Sequence, residues 1–123
     1  MIAGLGIDLC AVSRMEDLVR SDAFLKRYFS PEEAAYIRGR GAMSAASMAG
    51  LFAAKEAFVK ALGDGFSGIP LSDIAVAHTG LGAPYYNVTG QAREALDSRG
   101  VTQARLSISH EGEMAAAVCV LEG

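Results

Sequence analysis

The chain has 123 residues, enough for one domain spanning 1–123 and too few for two. With 51% apolar and 20% charged residues its composition is globular and excludes disorder. A net charge of −3 offers no global basic field for nucleic acid, and no run of about 18 apolar residues offers a membrane span. The opening residues lack a basic segment and carry Asp8 early, so no signal peptide is expected. Cys10 and Cys119 lie far apart and predict two reduced thiols in a cytoplasmic protein. Arg14, Arg20, Lys26, Arg27, Arg38 and Arg40 crowd the first third, where acidic residues match them in number.

In chain order, residues 2–9 predict a strand with Leu5, Ile7 and Leu9 on one face and Gly4, Gly6 and Asp8 on the other. Ser13 with Glu16 has the spacing of a capping box opening a short helix, and Asp22 is placed to cap another. Ser30-Pro31-Glu32-Glu33 is a strong helix start, ended by glycines 39 and 41. A long helix over 44–62 stops at Gly63. Ile74, Val76 and His78 alternate as in a strand, and "PYYNV" is a second. "TGQAREALDSRG" predicts a helix closed by Gly100. "ARLSIS" and "MAAAVCVL" predict strands of a hairpin joined by "HEGE". The fold class is therefore α+β, with a mostly antiparallel sheet packed against the long helix.

On a helical wheel, Met48, Leu51, Phe52, Phe58, Val59 and Leu62 share one arc with Lys55 in its middle. Gly50, Ala53, Ala54, Ala57 and Ala61 make the opposite side, and Glu56 and Lys60 sit on the seam. Such a helix predicts burial on both sides. Glu56 and Lys60 can be an ordinary surface pair at i, i+4, worth about 0.3–0.5 kcal/mol. The alternative is a cleft, because the helix has almost no other charge with which to face water, and a buried unpartnered charge costs several kcal/mol. The partners would then be a ligand and a metal.

Asp8 is open to two readings as well, a simple turn residue or one of two carboxylates that meet Glu56 around a hard divalent cation such as Mg²⁺. In "SISH", alternation puts Ser107 and Ser109 on one strand face and Ile108 and His110 on the other. His110 there is either a structural strand-end residue or part of a site. No hydrolase triad spacing, G-x-S-x-G or P-loop is present in the sequence.

With "GIDLCAVSRMEDL", "FAAKEAFVKALGDG" and "SISHEGEMAAAVCV" in order, the chain resembles the holo-acyl-carrier-protein synthases, the small bacterial type of phosphopantetheinyl transferase. The resemblance runs from the first strand to the last. It implies transfer of 4′-phosphopantetheine from coenzyme A to a serine of an acyl carrier protein, with Mg²⁺ as cofactor and adenosine 3′,5′-bisphosphate as the other product. It implies Asp8 and Glu56 as metal ligands and, with Lys60, as the catalytic set, Lys60 contacting the diphosphate. His110 is implied near the nucleotide end of coenzyme A. Gly63, Gly65, Ile69 and Pro70 are implied in the nucleotide-binding wall, with Pro84 and Ser109 completing the coenzyme A set. Arg14 is implied in meeting the acidic carrier protein. Homotrimers with active sites between subunits are implied too, and the apolar long helix is expected to face a subunit boundary.

Two positions depart from the family's habit. Leu51 stands where an arginine commonly precedes the phenylalanine, and Ala83 where a lysine often lies between glycine and proline. Each removes a positive charge that would support coenzyme A or the carrier. Lys55, inside the apolar arc, is expected to be a structural partner of an acidic or backbone group. A Mg²⁺-dependent diphosphate hydrolase and a non-catalytic coenzyme A-binding module are the rival functions.

Overall fold

A computed structural model describes residues 1–123, apart from the side chain of Asp64. Strand β1 (Ile2–Ala11) leads through three short helices, α1 (Val12–Leu18), α2 (Asp22–Tyr28) and α3 (Pro31–Arg38), into the long helix α4 (Ser44–Leu62). Strands β2 (Ile74–His78) and β3 (Pro84–Val88) follow, then α5 (Gly90–Ser98) and the hairpin of β4 (Gln103–Glu111) and β5 (Met114–Glu122). The class is α+β as expected, but the strands form two sheets rather than one. A three-stranded sheet has the order β1-β5-β4, and β2 pairs with β3 separately. Every pairing is antiparallel. No helix among the described residues is long and apolar enough to cross a membrane.

Helix α4 is buried along nearly its whole length, with Met48 through Lys55, Ala57, Phe58, Ala61 and Leu62 all inaccessible. Its small side lies on β1. A methyl group at Gly6 would strike the Ala57 carbonyl oxygen, and one at Gly4 would strike that of Ala61. Only glycine lets strand and helix backbones approach so closely. Gly63 ends the helix with φ 89°, its N–H donating to the Val59 carbonyl (3.2 Å).

The other face of β1 is bare. Leu5, Ile7 and Leu9 remain 66%, 64% and 61% exposed. They pair across the sheet with Val120, Val118 and Ala116 of β5. This corrects the expectation that α4 faces a subunit boundary: the chain covers that helix itself, and the uncovered apolar surface is the outer face of the sheet.

The helix-start signals differ in outcome. The Ser30–Glu33 capping box forms, Ser30 Oγ accepting from Glu33 N (3.2 Å) and Glu33 Oε1 from Ser30 N (3.0 Å). The Ser13–Glu16 box does not: β1 passes directly into α1, Ala11 takes the N-cap position and Ser13 lies inside the helix. For α2 the cap is Ser21, whose hydroxyl accepts from Phe24 N (3.1 Å), and Asp22 is the first helical residue. The hairpin is tighter than "HEGE" predicts. His110 and Glu111 stay in register with Ala115 and Met114, leaving Gly112 and Glu113 as the loop, with Gly112 at φ 55°.

Candidate active site

The glycine-mediated contact of β1 with α4 brings Asp8 beside the exposed end of the helix. Lys60 Nζ donates to Asp8 Oδ1 (2.8 Å) and to the Ile7 carbonyl (3.2 Å). Hydrogen bonding to Asp8, then its charge, pushes the Lys60 ammonium up, so it stays cationic. Glu56, one helical turn before Lys60, is half-buried. Burial first, and the charge of Asp8 second, push its carboxyl up, while Lys60 and Arg14 oppose the shift. Asp8, Glu56 and Lys60 thus form one cluster, and Arg14 borders it from α1 with its guanidinium 5.1 Å from the centre of the Phe52 ring.

Two carboxylates with no third ligand are a donor set that suits Mg²⁺, which keeps waters and substrate phosphates in its shell. Among the described residues no group of three or more His, Cys, Asp or Glu side chains is arranged to hold a metal. The fit is therefore to a cation completed by substrate. A cation there must share Asp8 with Lys60.

The other predicted site residues fall in three places. Gly63 lines a cavity of about 300 Å³ with Lys60, Val59 and Ser67, whereas Gly65, Ile69 and Pro70 are not among its walls. Pro84 and His110 line a second cavity, of about 360 Å³, at the opposite end of α4. The His110 ring is fixed there, with Nε2–H donating to the Ala46 carbonyl (2.9 Å). It lies close on Gly50, where a methyl group would stand 3.0 Å from Nε2. Ser109 sits on the outer sheet face beside Ser107 and is not part of this cavity.

Sequence reasoning missed four residues near these places. Tyr36, Arg40 and His78 line the second cavity. Tyr36 stacks on His78 with ring centres 4.2 Å apart and planes at 17°. Burial, then the charge of Arg40, pushes the His78 imidazole down, which keeps it neutral. Tyr36 lies on α3, Arg40 two residues past its end and His78 on β2, so no sequence spacing joins the three. The fourth is Glu33, read only as a cap. It is the buried partner of Lys55, at 2.7 Å.

A model of the 4′-phosphopantetheinyl transferase superfamily matches residues 4–119. The chain belongs to that superfamily. It is 46% identical over 123 residues to the holo-[acyl-carrier-protein] synthase of Treponema denticola, covering 100% of both chains. Among solved structures, a holo-[acyl-carrier-protein] synthase from Neisseria meningitidis superposes with a TM-score of 0.89 at 32% identity, covering 100% of each chain. The Helicobacter pylori synthase, solved in complex with coenzyme A, gives a TM-score of 0.80 at 30% identity, over 96% of this chain and 99% of that one. This phosphopantetheinyl transferase thus matches its relatives over the length that holds Asp8, Glu56, Lys60 and His110.

Proposed function

We propose that this chain, acting as one domain, transfers 4′-phosphopantetheine from coenzyme A to a serine of an apo-acyl-carrier protein, with Mg²⁺ as cofactor. The observation that carries the proposal is the cluster of Asp8, Glu56 and Lys60, two carboxylates and a cation assembled from β1 and α4. Mg²⁺ held by Asp8 and Glu56 would supply Lewis-acid polarisation of the phosphoryl group. Lys60 neutralises charge on the transferring and leaving phosphate oxygens. The carrier serine oxygen bonds to the phosphorus that bears pantetheine. The bond from that phosphorus to the bridging oxygen breaks, and adenosine 3′,5′-bisphosphate leaves. The serine proton passes to Glu56 or to a water in the cluster. Arg14, exposed on α1 beside the cluster, receives the acidic carrier. Two free, buried thiols suit the reducing cytoplasm.

Incubation with coenzyme A, Mg²⁺ and apo-carrier, followed by intact-mass spectrometry, tests this. The carrier should gain one phosphopantetheine, chelator should abolish the gain, and a carrier lacking its serine should gain nothing. Release of phosphopantetheine to water with the carrier unchanged would instead identify a hydrolase.

A homotrimer is the assembly we propose, supported by the bare stripe of Leu5, Ile7 and Leu9, since exposed apolar patches of this kind mark interfaces. Sedimentation should give three times the chain mass, and Ile7→Lys should give monomers without transfer activity. A wild-type monomer at micromolar concentration with full activity would overturn the assembly.

A further inference from the structure

The last turn of α4, which carries Lys60, is fastened from outside by an arginine that no motif contains. Arg99 is the residue that follows α5, and its guanidinium spans two other elements. Nη1 donates to the Leu62 carbonyl, and Nη2 donates to the Ala3 carbonyl (2.7 Å). The guanidinium carbon also lies 5.9 Å from the centre of the Phe66 ring, in the segment after the helix. The last carbonyls of a helix lack intrahelical partners, and a cation beside them complements the helix dipole. Ala3 sits where the pairing of β1 with β5 shifts register, and it has no opposite residue on β5. A planar fork of fixed donors suits two carbonyls on two backbones, which is more than a simple cap requires.

Those two backbones have few other polar ties. β1 is an edge strand, paired with β5 on one side only. Gly4 and Gly6 limit how closely β1 approaches Ala61 and Ala57 of α4, but they carry no side chain that resists parting. Among the described residues, the direct hydrogen bonds between β1 and α4 are the two that Lys60 makes, to the Ile7 carbonyl and to Asp8. In the proposed reaction Lys60 turns to phosphate oxygens and gives those bonds up. The bonds of Arg99 lie outside the cluster and persist through that step.

We propose that Arg99 is a positioning residue for phosphopantetheine transfer, holding the Lys60 end of α4 at a fixed separation from β1 when Lys60 leaves Asp8 for substrate. The proposal rests on the transferase function above.

Denaturation of wild type, Arg99→Gln, Lys60→Met and the double variant tests the tie without turnover. If both cations hold the same pair of backbones, each single variant keeps one tie. The double variant should then lose more stability than the sum of the singles. A simple helix cap gives additive losses, and additivity would overturn the proposal. In transfer assays Arg99→Gln should lower kcat at least about tenfold, the scale on which a misplaced support is felt, with KM for coenzyme A changed less than about threefold. Arg99→Lys keeps the charge at the helix end but not the fork, so it should recover melting temperature and little of kcat. A raised KM with unchanged kcat, or full turnover in Arg99→Lys, would equally overturn the assignment. A wild type that transfers nothing, with stability losses still more than additive, would sink the transferase function and leave the tie standing.

Discussion

Replacing Glu56 by glutamine is expected to lower phosphopantetheine transfer at least about a hundredfold, the scale of losing one preorganised electrostatic element. The substitution keeps size and helix propensity, so α4 should still form. Stability should move the other way. Burial, then the charge of Asp8, pushes the Glu56 carboxyl up, so the folded chain disfavours its ionised form. With a folded value above the unfolded one, the favourable contribution is fully present below the usual carboxylate range and is lost as pH rises through the folded value. At neutral pH the neutral amide removes that penalty. The variant should therefore melt no lower than wild type, and the two should converge in acid. Near-normal turnover at saturating Mg²⁺ would remove Glu56 from the site; a large fall in melting temperature would make its role structural.

Lys55→Met is expected to be the most damaging change outside the site. Lys55 is fully buried, and its three donors are all used, on Glu33 Oε1 (2.7 Å), the Ile74 carbonyl (2.9 Å) and the Leu71 carbonyl (3.0 Å). Glu33 in turn accepts from Ser30 N and Val76 N. One ion pair thus ties α3 and α4 to the segment that opens β2. Methionine would leave a buried carboxylate and two carbonyls short of donors, a loss of about 3–5 kcal/mol by analogy with broken buried pairs. Chemical denaturation should read this directly. The double variant Lys55→Met with Glu33→Gln should lose less than the sum of its singles. Strict additivity would show that the pair is not the fastening described.

Much of this was legible where the signal is local. The pattern of 44–62 fixed both the helix and its burial on two sides, because apolar and small residues recur at its own period. Ser30 to Glu33 gave a cap that forms. Ser13 to Glu16 shows the same spacing and forms none, because β1 runs to Ala11 and carries the chain directly into α1. The partnership of Glu33 with Lys55 was half visible. Lys55 called for an acidic or backbone partner, but which one depends on α3 packing against α4. Arg40, Tyr36 and His78 could not be grouped from spacing, since they reach one cavity from β2 and the end of α3. The subunit boundary was misplaced for a related reason. Composition records how much apolar surface must be covered, and only topology records which face the chain leaves bare.

The meeting of Gly4 and Gly6 with the carbonyls of Ala61 and Ala57 sets the gauge of the catalytic cluster. Asp8 rides on one backbone and Glu56 on the other, and the gap between those backbones is held by main-chain atoms rather than by interlocking side chains. Side chains drift by substitution; main chain does not. Core changes elsewhere can therefore accumulate and erode stability while the separation of the two carboxylates stays constant. A single methyl group at Gly6 does the reverse: it prises strand from helix at the one place where a fraction of an ångström is a change in chemistry.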